Sequence, residues 1–75
     1  MLLTDRLFSE RKRKKMSRQS VATLVGVDRQ SIHNWELGRC MPSALNVARM
    51  AKVYRRPMDY FFAVELNDTS AIKEN

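Results

Sequence analysis

SRQSVATLVGVDRQSIHNWELG, residues 17–38, reads as two short amphipathic helices separated by one glycine. In the first half Val21, Ala22 and Val25 share a helical face, and in the second Ile32, Trp35 and Glu36 share another, so both faces can close on a common core. Gly26 lies between them, where the chain must stop one helix and reverse within about four residues, and glycine supplies the positive φ this needs at low cost. Ser17 and Asp28 are good N-caps, because their side-chain oxygens can accept from the free N–H groups of the turn that follows. Met16 with Val21 and Val27 with Ile32 have the spacing of hydrophobic staples. Gly38 follows Trp35-Glu36-Leu37 where a left-handed cap belongs, so the second helix is predicted over Arg29 to Leu37.

Outward from this stretch, a preceding helix is predicted to start near Thr4, with Leu3 and Phe8 as a staple, Leu7 in line with Leu3, and Asp5 favouring the N-terminal end. It should finish in Arg11-Lys12-Arg13-Lys14-Lys15. On the other side Arg39 lies in the turn leaving Gly38, and Pro42-Ser43 open a helix over Ala44 to Tyr54 with Val47, Met50, Ala51 and Tyr54 as its core stripe. Leu45 and Val53 fall off that stripe. Pro57 ends the helix and starts a short fifth one through Phe62. Phe61 should cap the core, while Tyr60 and Phe62 point elsewhere and leave apolar surface suited to a homodimer contact with Leu45. From Asn67 the residues are polar or small apart from Ile72, so residues 1–62 are expected to form the domain and 63–75 a partly disordered tail.

A chain of 75 residues has room for one core and buries about 60% of its extended surface. The net charge of +6 is uneven, with +9 over residues 1–58 and −3 over 59–75. A basic body of this kind suits a polyanion, either nucleic acid or an anionic membrane surface. Six of the eight residues from Arg11 to Arg18 are basic, a run that either faces phosphates or is a solvated surface. One cysteine, Cys40, and one histidine, His33, leave no internal disulfide and no ligand set for a structural metal, and no cofactor is expected. No acid–base or nucleophilic set is recognisable, which argues against an enzyme. No charged leader with a long apolar run and no 18-residue apolar segment is visible, so the expected location is cytoplasmic and not a membrane.

Gln19, Ala22, Gly26-Val27, Ile32, Trp35-Glu36, Gly38 and Pro42 sit where the Cro/C1-type (XRE-like) helix-turn-helix DNA-binding family has its motif, and from about Leu7 to Phe61 the chain resembles that family. The resemblance implies an all-α, compact five-helix, lambda-repressor-like domain. Three positions depart from the family's usual pattern: Arg18 precedes Gln19 where Gln is usual, Arg56 stands where an apolar residue is usual, and Ala44 stands where Leu is usual. The resemblance also implies that Arg11 pairs with Glu36, the alternative being that Arg11 belongs to the basic face and Glu36 is exposed.

In such a motif the second helix enters the major groove by its N-terminal end while the first crosses the backbone. Arg29, Gln30, His33 and Asn34 then face the bases. Arginine can donate twice to guanine, and Gln or Asn can pair with adenine, so these residue types can read sequence. His33 alone would equally be an ordinary surface histidine. By resemblance Arg29, Gln30 and Asn34 match base-reading positions, with Ser31 adding a weaker contact. Lys14, Ser17, Arg18, Gln19 and Arg39 are the expected phosphate contacts. The function implied is sequence-specific double-stranded DNA binding by a homodimeric transcriptional regulator of repressor type. The alternative is an antitoxin-like module that binds operator DNA and a protein toxin, for which the segment from Ala63 onward is the available protein-partner surface.

Overall fold

Local signals end the helices almost everywhere in the computed structural model, which describes residues 3–62. Helix α1 spans Leu3–Arg13, α2 Arg18–Val25, α3 Arg29–Leu37 and α4 Ala44–Tyr54; residues 58–62 form the described part of α5. Ser17, Asp28 and Ser43 cap α2, α3 and α4, each accepting from the N–H three residues on, at 3.0, 2.8 and 3.2 Å. Each of the first four helices closes through a six-residue C-terminal loop, in which Met16, Val27, Arg39 and Arg56 donate to the carbonyls of Arg11, Ala22, Asn34 and Ala51. The left-handed residue in that loop is Gly26 (φ 90°) after α2 and Gly38 (φ 77°) after α3. A Cβ at Gly26 would meet nothing within 4 Å, so the backbone conformation, not space, calls for glycine there. After α1 and α4 the same conformation falls on Lys15 and Arg55, at a cost of about 1 kcal/mol each.

The core sits where α2 packs on α3 and α4 while α1 packs on α3. Leu3 and Leu7 from α1, Val21 and Val25 from α2, Ile32 and Trp35 from α3, and Val47, Met50 and Tyr54 from α4 are all buried, and Phe61 closes the cluster from α5. Burying each such side chain stabilises the fold by about 1.5–3 kcal/mol. Met16 and Val27 lie against this cluster, in keeping with their staple spacing. The staple expected at α1 is absent: Leu3 is already helical and buried, whereas Phe8 is 42% exposed with Arg11 and Lys12 over its ring at 5.5 and 5.9 Å. Thr4 takes up the position instead, its hydroxyl donating to the Trp35 carbonyl at 3.2 Å and tying the start of α1 to the end of α3.

A second departure concerns α5. Tyr60 is not a free aromatic surface: its hydroxyl donates to Glu10 Oε2 at 3.2 Å, its ring meets Phe61 edge-on at 5.1 Å, and Arg6 and Arg56 stack on it at 4.3 and 4.6 Å. Phe62 also packs partly against the core. Of the three residues expected at a dimer contact, only Leu45 is strongly exposed, at 60%. The expected tail, and with it the surface for a toxin partner, lies outside the described residues. No helix among those described is long and apolar enough to cross a membrane.

Candidate nucleic-acid interface

The α3 helix presents two unlike faces because its sequence repeats at the helical period. Ile32, Trp35 and Glu36 turn inward and are buried, while Arg29 and Gln30 are exposed and Ser31, His33 and Asn34 are half-buried. Asp28 fixes the start of this helix: its carboxylate accepts from the Ser31 N–H, which holds its pKa below the ordinary aspartate value. It therefore stays charged at the positive end of the helix dipole. The N-terminal half of α3 is thus held rigidly with its polar side chains outward.

Arg18 at the start of α2 joins Arg29, Gln30 and His33 around one polar cleft of about 230 Å³. Two helices therefore bring two guanidinium groups, an amide and an imidazole to one concavity, a set suited to phosphate oxygens and base edges. Lys14, half-buried at the end of α1, and Gln19 and Arg39, both exposed, are not part of its lining. Gln19 donates to the Thr23 hydroxyl at 3.2 Å. Ser17 is committed to its cap, since its hydroxyl accepts from the Ser20 N–H and donates to Ser20 Oγ, both at 3.0 Å. Asn34 lies between Gln30 and Arg39 and accepts from both.

Behind this face Glu36 is gripped by Arg11, with Nε to Oε2 at 2.7 Å and Nη2 to Oε1 at 3.0 Å. Arg11 Nη1 donates to the Met16 carbonyl at 2.9 Å, so one guanidinium ties α1, the turn after it and α3 together. Arg18 Nε lies 3.4 Å from Glu36 Oε1 without a hydrogen-bond partner. Its charge is drawn toward the ion pair, while the side chain as a whole is 37% exposed.

A family model described as helix-turn-helix matches residues 7–61. The chain belongs to the Cro/C1-type helix-turn-helix family. Among solved structures, the crystal structure of the P22 c2 repressor protein in complex with synthetic operator 9T in the presence of Tl+ is similar. It matches with a TM-score of 0.77 and 26% identity over 81% of this chain and 92% of that chain. No curated protein sequence matches significantly.

Two of this family member's departures acquire a physical account. Arg18, in place of the usual Gln, adds a second cation near Glu36 and a guanidinium to the cleft. Arg56, in place of an apolar residue, donates to Glu10 through Nε at 3.1 Å and Nη2 at 3.3 Å. Glu10 also accepts from Arg13 Nε at 3.0 Å and Nη2 at 2.6 Å. Burial alone would raise the Glu10 pKa, but the hydrogen bonds from Arg13, Arg56 and Tyr60 outweigh it and bring it down from 4.5 to about 2. No reading of the sequence singled out Glu10. The available signal was its place on the Leu3–Leu7 face of α1, where a charged residue at helical spacing implies a partner. The structure offers no account of Ala44, which is exposed at the first position of α4. Among the described residues no three His, Cys, Asp or Glu side chains come together as a metal site.

Proposed function

We propose that this chain is a sequence-specific regulator of transcription, of repressor type, that binds double-stranded DNA in the cytoplasm. The observation that carries this reading is the single outward face on which the N-terminal half of α3 and Arg18 of α2 converge. Family membership and the likeness to a repressor crystallised with a synthetic operator support it. Laid in the major groove, α3 would bring Arg29 and Gln30 to base edges first, with His33 and Asn34 one turn on and Ser31 beside them. Arg29 would read guanine through paired donation to O6 and N7. Lys14, Arg18, Gln19 and Arg39 would hold phosphates. Ser17 would serve there mainly by fixing the start of α2. One module of this size covers a half-site, so the bound form is a symmetric dimer on half-sites about 34 Å apart.

Binding-site selection from random duplexes, repeated with Arg29→Ala, tests the reading. The substitution should cost about 1–3 kcal/mol on the selected site and relax the preference at one symmetric pair of positions. Its effect on unselected DNA should be smaller, since only one positive charge is lost there. Equal stringency for the same sequences in parent and variant would remove α3 as the reader.

A further inference from the structure

Asn34 and Gln30 both carry amides suited to adenine, yet their hydrogen bonds give them different tasks. Arginine can only donate, so the Asn34 atom that lies 3.5 Å from Arg39 Nη1 is the carbonyl oxygen. The same oxygen accepts from Gln30 Nε2 at 3.2 Å. Two donors occupy its two lone pairs, and Asn34 retains only its N–H groups for DNA. The paired contact with adenine, which needs one acceptor and one donor, is therefore closed to it. Gln30 keeps its own carbonyl oxygen and one N–H, the complement of adenine N6–H and N7. Arg39, exposed beyond the Gly38 cap, keeps its other N–H groups for a phosphate.

We propose that Arg39 and Asn34 are positioning residues that orient Gln30 as the adenine reader, so that reading of one base depends on how Arg39 is seated. This rests on the proposed reading of duplex DNA by α3. Asn34 then acts at the same base pair as Gln30, not at a neighbouring one. An arginine anchored on a phosphate holds the Asn34 oxygen, and that oxygen holds one proton of the Gln30 amide. The amide plane of Gln30 is fixed before it meets the base, which removes rotamer freedom that would otherwise be lost on binding.

The test uses the full chain, a duplex obtained by selection, and the set of single-base variants of that duplex, with affinities measured at one salt concentration. Gln30→Ala should abolish an adenine preference of about tenfold or more at one symmetric position. Asn34→Ala and Arg39→Ala should each erode the preference at that same position, and Asn34→Ala should add no further loss of selectivity in the Gln30→Ala background. Asn34→Asp retains the accepting oxygen, so it should lower affinity for every duplex through charge repulsion while keeping the adenine preference. A purely phosphate-binding Arg39 would leave that preference intact in Arg39→Ala. The relay is overturned if Asn34→Ala relaxes a different base pair, if the Gln30 and Asn34 effects multiply independently, or if Asn34→Asp loses the preference. If the parent chain selects no sequence at all, the DNA reading falls together with the relay.

Discussion

Glu36 and Glu10 are both buried carboxylates, with side chains 3% and 4% exposed, but they are held in opposite ways. Glu36 faces Arg11, itself only 7% exposed, and the two make a paired, dry contact behind the α3 face. Glu10 is reached from solvent by Arg13 and Arg56, 46% and 37% exposed, and by the Tyr60 hydroxyl. In the first case both charges of the main pair have left water, and loss of Arg11 would leave Glu36 only the more distant Arg18, 3.4 Å away and 37% exposed. In the second only the carboxylate has left water, and its cationic partners can turn back to solvent. Tyr54 senses both centres: burial pushes its hydroxyl pKa up, the Glu36 and Glu10 charges add to the rise, and Arg11 opposes it.

The largest effect should follow from breaking the dry pair. Arg11→Ala leaves Glu36 buried without its main partner and also frees the Met16 carbonyl, for an expected loss of about 3–5 kcal/mol. Denaturant titration followed by the single tryptophan, Trp35, reads this directly. A loss within about 1 kcal/mol, the range of exposed pairs, would place Arg11–Glu36 in the same class as a surface contact.

Glu10→Ala should cost less, about 1–3 kcal/mol, because Arg13 and Arg56 recover water. The comparison sharpens with pH. The Glu10 pKa is lowered in the folded state, so the stability it contributes is present above an ordinary 4.5 and is lost as pH falls toward about 2. Between those values the denaturation midpoint of the parent should fall with acid, and Glu10→Gln should flatten that slope. A slope unchanged in the variant would assign the acid sensitivity to another carboxylate.

The smallest stability effect is expected at the half-exposed cation beside Glu36. Arg18→Ala should change stability by no more than about 1 kcal/mol while flattening the log–log salt dependence of DNA binding by about one unit. Comparable loss on selected and random duplexes would mark a phosphate contact. An unchanged slope with a clear loss of stability would make Arg18 a structural partner of Glu36 instead.

These two centres also differ in how far they could be read in advance. Glu36 lies inside the motif, and its pairing with Arg11 follows from the family resemblance, although the residues are 25 positions apart. Glu10 stands 46 and 50 positions from Arg56 and Tyr60, and nothing local announces that they meet. Without that contact the sequence presents Tyr60 as spare apolar surface, whereas its hydroxyl and ring are engaged by Glu10, Arg6 and Arg56. The interface shows the same division. Helical spacing places Arg29, Gln30 and His33 outward on α3, but the arrival of Arg18 from another helix to complete the cleft depends on how α2 packs on α3.

By itself the sequence determined where α2, α3 and α4 begin and end, because the Ser and Asp caps, the glycines after α2 and α3, and Pro57 after α4 act within a few residues and need no distant partner. It also determined which face of each of these helices is apolar, since that follows from a repeat of 3.6 residues. The tertiary structure alone decided that Thr4, and not Phe8, secures the start of α1. It alone brought Arg56 and Tyr60 to the Glu10 carboxylate, which Arg13 reaches from three positions on within α1. Those outcomes depend on which surfaces are left facing each other once the helices pack, and a buried charge is then stable only where the packed chain delivers a partner to it.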